Sequence, residues 1–216
     1  MNETFFGDPE YYARFARAYD AMVGSRLYNQ VFWGADPRQY TAFAARAIGS
    51  GTGPMLEVAV GTARATAALH VASARRTTLV DMSAPMLELA GQAIAEAAGG
   101  TLPERITLEC RDMLEQPQDR RYETILGLGL LHLVPDVAAT VSALGRQLED
   151  HGKLFLASLV KGPRRSNAYL GLLKAHGDIA VARTAGELFD EVREAGLGQV
   201  TVTRRGAMGY LQIRAR

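Results

Sequence analysis

Glu57, Asp81 and Asp112 each lie in or at the end of an apolar run, and His132 follows a fourth such run. Carboxylates delivered at strand ends accept hydrogen bonds from hydroxyl and amino groups, so they can hold the sugar and base of a nucleotide-shaped ligand. A histidine titrates near neutral pH and can move a proton. Between the first two carboxylates, Ala59, Gly61 and Ala63 keep side chains small where a ligand must approach the backbone and the N-terminus of the next helix. Asp81 follows Gly61 by 20 positions, about the interval at which a doubly wound sheet brings a carboxylate to ribose hydroxyls. An alanine at 59 or 63 is tolerable if the backbone there has negative φ and is strained if φ is positive.

The elements that must position these groups alternate between strands and helices. Met55, Val58 and Val60 suit a buried parallel strand, and Thr77 to Asp81 reads as a second, followed by a helix with Ser83 as N-cap and Pro85 in its first turn. Arg105 to Met113 supplies a third strand and Tyr122 to Gly129 a fourth. Asp136 caps a helix expected to run to about Glu149, and a turn at Asp150-His151-Gly152 precedes a fifth strand, Lys153 to Leu159. Thr184 and Glu187 form a capping box, Gly196 ends that helix, and the strands Gln199 to Thr203 and Gly209 to Ala215 are joined so closely that they must form a hairpin. Ahead of the sheet, Asp8-Pro9 and Asp36-Pro37 each place an N-cap before a first-turn proline, so residues 1–50 are expected to be helical.

The stretch from Glu57 to Ala63 resembles motif I of class I S-adenosylmethionine (SAM) dependent methyltransferases, with Ala59 and Ala63 where that family has its first and third glycines. Leu130-Leu131-His132-Leu133-Val134-Pro135-Asp136 is similar to the family's segment after the fourth strand. The resemblance covers roughly residues 50 to 216. It implies an α/β, Rossmann-like, doubly wound sheet of order 3-2-1-4-5-7-6 with strand 7 antiparallel, and SAM as cofactor. It also implies Glu57 near the methionine end of the cofactor, unless that side chain caps a neighbouring helix instead. Ala59 and Gly61 would form the turn, Asp81 would hold the ribose, and Met82 would lie against adenine. Asp112 would accept from the adenine amino group, Met113 would pack beside it, and Gly127 joins the cofactor-binding set. His132 stands where the methyl group is expected, either as a general base or as a structural helix-entry residue. Tyr11, Phe15, Tyr19 and Trp33, in the helical N-terminal segment, are expected to line a substrate pocket or lid; Tyr19-Asp20 resembles a pair found before motif I in the family. The activity implied is methyl transfer to a small, apolar or aromatic acceptor. The alternative is a protein that binds SAM or S-adenosylhomocysteine without transferring a methyl, as a cyclase, subunit or regulator.

Composition narrows the class. At 216 residues, 48% hydrophobic and 22% charged, the chain can bury one substantial core and has little room for a second, so one domain over 1–216 is expected. A net charge of +1 gives no bias toward nucleic acid. The single cysteine, Cys110, excludes an internal disulfide, and four scattered histidines offer no metal cage, so no metal is expected. The N-terminal residues lack a signal-peptide pattern, and no apolar run reaches the ~18 residues of a membrane span. A cytoplasmic monomer or homodimer with a small-molecule partner is the expectation.

Overall fold

A computed structural model describes residues 28–115 and 120–216. Seven strands, β1 (Met55–Val58), β2 (Thr77–Asp81), β3 (Ile106–Cys110), β4 (Tyr122–Leu128), β5 (Leu148–Leu159), β6 (Gly198–Arg205) and β7 (Met208–Ala215), form one sheet of order β3-β2-β1-β4-β5-β7-β6. The pairings from β3 through β5 are parallel, and β7 runs antiparallel to β5 and β6. This is the expected order, including the reversed strand 7. Helices α1 (Pro37–Ile48), α2 (Ala67–Ala72), α3 (Ala84–Ala97), α4 (Val137–Gly145), α5 (Arg164–His176) and α6 (Ala185–Glu194) accompany the sheet, and a π-helical turn, Asn29–Trp33, precedes α1.

All of β1 is buried, and the two-residue alternation of a strand divides the apolar side chains between two faces. Leu56, Ile125, Leu154 and Leu156 join Val137, Val141 and Leu144 of α4 and Leu188 and Val192 of α6. Met55, Leu126 and Phe155 pack instead with Phe43, Ala44 and Ala47 of α1 and Leu170 of α5. Helix starts follow the caps read from the sequence. Asp36, Ser83 and Asp136 accept from the backbone N–H of Arg38, Met86 and Ala139, and Thr184 and Glu187 complete a reciprocal capping box.

Several boundaries differ from expectation, β3 among them, which spans Ile106–Cys110 rather than Arg105 to Met113. The α4 helix ends at Gly145 rather than near Glu149, because β5 begins at Leu148, paired with Tyr122. The expected turn survives as a bulge: Thr124 pairs with Lys153, so residues 149–152 loop out of the ladder, with His151 at φ +61°. The terminal hairpin is longer than expected, since pairing continues to Arg205 and Met208 and leaves only Gly206 and Ala207 as the turn. Gly206 is at φ +59°, and a Cβ there would lie 2.2 Å from the Trp33 carbonyl oxygen. Only glycine fits, and Ala207 N–H donates to that carbonyl at 2.7 Å, tying the π-helical turn to the hairpin.

Glu123 is held at the amino edge of the sheet. It accepts from Gly53 N–H at 2.5 Å and from Arg75 Nη2 at 3.1 Å, while Arg75 also donates to the carbonyls of Ile48, Gly53 and Pro54. Among the described residues no helix is long and apolar enough to cross a membrane.

Candidate functional site

The sheet order places β1 between β2 and β4, so the chain leaves β1 toward β2 and β3 and then crosses to β4 and β5. A crevice opens outside the carboxyl ends of strands at such a switch point. The turn leaving β1 is built on alternate left-handed residues: Ala59 at φ +50°, Gly61 at +56° and Ala63 at +54°. These are the three positions where the resemblance puts glycine, and the two alanines sit in the strained conformation, not the negative φ that would have suited them. A Cβ added at Gly61 would meet nothing within 4 Å, so the turn presents bare backbone to open space there. Ala63 is buried among Val60, Ala67 and Leu79, whereas Ala59 is half-buried at the edge of the core.

Asp81 closes β2 and binds this turn. Its Oδ2 accepts from Gly61 N–H at 2.8 Å and its Oδ1 from Ser83 N–H at 2.9 Å. Burial raises its pKa above the usual carboxylate value, and backbone N–H groups of Ser83, Gly61 and Met82 act in the opposite sense. Each oxygen has further acceptor capacity, enough for two hydroxyl donors. Next to it Met82 is 55% exposed, an apolar surface placed beside a polar anchor. Arg111 N–H donates to the Asp81 carbonyl at 3.1 Å, which carries the end of β3 to the same edge. There Asp112 Oδ1 accepts from Leu114 N–H at 2.8 Å, and the Met113 carbonyl accepts from Gln147 Nε2 at 2.8 Å. Gly61, Asp81, Met82, Asp112 and Met113 are thus gathered along one rim.

Other expected site residues sit elsewhere. Glu57 is buried and reaches into α2: Thr66 Oγ1 donates to its Oε1 at 3.2 Å, and His70 Nε2 lies 2.5 Å from its Oε2. These partners are side chains at and within α2 rather than backbone N–H groups at its start, so Glu57 is tied to the helix without capping it, and both oxygens are engaged by protein. His70 carried no signal in the sequence, because its partner is 13 residues away across the turn. Gly127 is a packing glycine, since a Cβ there would come within 3.0 Å of Leu130 and Leu156 side chains. Trp33 is 5% exposed and stacks at 5.2 Å on Tyr169, so its indole fills core rather than lining a pocket. Tyr11, Phe15 and Tyr19 lie outside the described residues.

On the β4 side of the crevice, Gly129 at φ +68° turns the chain, and a Cβ there would lie 3.4 Å from the Tyr40 hydroxyl and 3.9 Å from His132 Cε1. Leu159 N–H donates to His132 Nδ1 at 3.4 Å, and Ser158 Oγ lies 3.3 Å from the same nitrogen. A backbone amide can only donate, so Nδ1 is the acceptor and the neutral ring carries its proton on Nε2. Burial lowers the His132 pKa to about 4. With the ring so bonded, His132 offers a hydrogen bond through Nε2 at neutral pH, and its lowered pKa makes it a weaker base than an ordinary histidine. Tyr40, Gly129 and Ser158 were not singled out by sequence; they are common residue types whose proximity arises only when α1, the β4 turn and β5 meet.

Residues 55–152 match the family described as a methyltransferase domain. No curated protein sequence matches the chain. Solved structures share its fold at low identity. A SAM-dependent methyltransferase of Thermotoga maritima, a possible histamine N-methyltransferase, is 16% identical, with 96% of this chain and 99% of that one covered and a TM-score of 0.68. Geranyl diphosphate C-methyltransferase of Streptomyces coelicolor, solved with geranyl diphosphate and S-adenosylhomocysteine, is 15% identical over 90% of this chain and 86% of its own, TM-score 0.65. The cyclase SpnF is 16% identical over 96% and 94%, TM-score 0.67.

Proposed function

Taking as premise that residues 55–152 form a methyltransferase domain in a class I SAM-dependent fold, we propose that this protein transfers a methyl group from SAM to a small acceptor. The observation that carries this reading is the Asp81 carboxylate, hydrogen-bonded to the Gly61 turn and flanked by the exposed Met82 at the switch point. Those residues fit an adenosine: two hydroxyls on Asp81, a base against Met82, and backbone approach at Gly61, where no side chain intervenes. SAM supplies a sulfonium-activated methyl, so the protein has to align the acceptor and exclude water.

The β4 side favours one kind of acceptor. Tyr40, Gly129 and His132 converge where the methyl would lie, and His132 offers a proton on Nε2 instead of taking one. Such a site can hold an acceptor through a polar atom other than the nucleophile, and a neutral amine nitrogen elsewhere in that molecule then attacks with its own lone pair without prior deprotonation. Small-molecule chemistry among the structural neighbours, a possible histamine N-methyltransferase among them, is consistent with this.

The second reading, a SAM-binding protein that transfers no methyl, is favoured by the same weakly basic His132 and by the fold shared with the cyclase SpnF. One experiment separates the two. The purified protein is denatured, released small molecules are identified by mass spectrometry, and fresh protein is then screened with methyl-labelled SAM against amines, phenols and carbon acids. Label in an amine supports the proposal, and SAM retention with no labelled product across the panel supports the second reading. Failure of SAM and S-adenosylhomocysteine to bind in calorimetry refutes both.

A further inference from the structure

Arg183 is buried, 4% exposed, in the connection between α5 and α6, and its guanidinium reaches two places. Nη1 donates to the carbonyls of Leu131 and Val134, each at 3.2 Å, and Nη2 to that of Pro135 at 2.8 Å. Nε lies 2.8 Å from both carboxylate oxygens of Glu191, on α6. The backbone of the same connection holds the same segment, with Ala180 N–H donating to the His132 carbonyl at 2.9 Å. Arg183's own carbonyl accepts from Lys161 N–H at 2.6 Å, just beyond the end of β5.

The physical need is plain. Residues 131–135 leave β4 and have no ladder to satisfy their carbonyls, and a carbonyl buried without a donor is costly. A guanidinium meets several such acceptors at once because its five N–H groups form a rigid planar fork, which a lysine ammonium cannot reproduce. Glu191 compensates the buried charge and orients the fork from a helix whose start is fixed by the Thr184 and Glu187 box. His132 stands inside this clamp, its carbonyl held by Ala180 and its Nδ1 by Leu159 N–H.

We infer that Arg183, oriented by Glu191, is a positioning residue that sets where the His132 imidazole stands in the crevice. This rests on the proposed role of the His132 side of the crevice in holding the acceptor. Arg183 touches neither cofactor nor acceptor and acts through the path of residues 131–135.

The test compares Arg183→Lys and Glu191→Gln with Arg75→Lys, a change at an equally buried arginine on the opposite edge of the sheet. The first readout is nitrogen NMR of His132, which reports ring tautomer and titration whether or not the protein methylates anything. The wild type should show a neutral Nε2–H ring down to about pH 5. Arg183→Lys and Glu191→Gln should show mixed tautomers and titration moved toward the ordinary histidine range, while Arg75→Lys keeps the wild-type spectrum. The second readout is turnover with an acceptor found by the screen above. There kcat should fall roughly tenfold to hundredfold in the Arg183 and Glu191 variants, the loss that a ~1 Å misplacement produces, with the dissociation constant for S-adenosylhomocysteine within about twofold of wild type. If Arg183→Lys does not unfold cooperatively, Glu191→Gln decides. Wild-type histidine spectra in folded Arg183→Lys and Glu191→Gln would overturn the inference. Absence of turnover in the wild type would count against the proposed function alone, leaving the spectra to judge positioning.

Discussion

The alanines at positions 59 and 63 occupy nearly the same left-handed conformation, φ +50° and +54°, and replacing each with glycine should nevertheless give different results. An L-residue held in that region carries roughly 1–2 kcal/mol of steric strain, which glycine removes. Glycine also loosens the unfolded chain, a loss of about 0.4–1 kcal/mol in stability. At position 59, half-buried, little packing is lost, so Ala59→Gly should stabilise the protein by about 0.5–1 kcal/mol and raise Tm by about 1–4 °C for a chain of this size. At position 63 the methyl is 3% exposed and sits among Val60, Ala67 and Leu79, so its removal forfeits about 0.8 kcal/mol of burial. Ala63→Gly should therefore come out close to neutral.

The assay is urea unfolding of both variants, with calorimetric binding of S-adenosylhomocysteine alongside. Because a Cβ at neighbouring Gly61 faces open space, relief of strain at Ala59 should leave affinity equal or better. If Ala59→Gly lost more than about 1 kcal/mol of stability, or if both variants shifted by the same amount, the left-handed geometry of the turn or the burial difference would be wrong.

Asp81→Ala should weaken S-adenosylhomocysteine roughly tenfold to hundredfold in calorimetry, because two charge-assisted hydroxyl contacts are lost. In the wild type that affinity should decline as pH falls through the raised pKa of Asp81, where the carboxylate takes up a proton, and this dependence should vanish in Asp81→Ala. His132, held near a pKa of about 4 when folded against an ordinary value of 6.5, is neutral in both states above pH 6.5 and costs nothing there. Below pH 6.5 the unfolded chain gains a proton that the folded chain refuses. Stability should thus drop by about 3 kcal/mol between pH 6.5 and 4, and urea unfolding of His132→Gln should lack that part of the drop. Arg75→Met strands the carbonyls of Ile48, Gly53 and Pro54 and takes the guanidinium from Glu123, leaving it only the Gly53 N–H among these contacts, which should cost about 2–4 kcal/mol in urea unfolding. Cofactor affinity of the folded fraction should be unchanged, since this cluster lies at the far edge of the sheet.

What could be read from the amino-acid order alone was whatever local chemistry decides. Side chains at Asp36, Ser83, Asp136 and Thr184 cap the N–H groups two or three residues on, so helix starts were legible, and strand order followed from the motif I resemblance together with the short final hairpin. The Gly61 and Asp81 pair was legible for a related reason: the interval of a strand-helix-strand unit brings them within 2.8 Å. Tertiary structure decided everything that depends on a partner distant in the chain. It sent Glu57 into α2 toward His70, buried Trp33 against Tyr169, and made Gly127 a close-packing position between strands. It also decided the protonation of His132, because a histidine's pKa is set by how much water and which donors surround it. Here those are the Leu159 amide and a buried environment closed by a loop that Arg183 holds from 48 to 52 residues away.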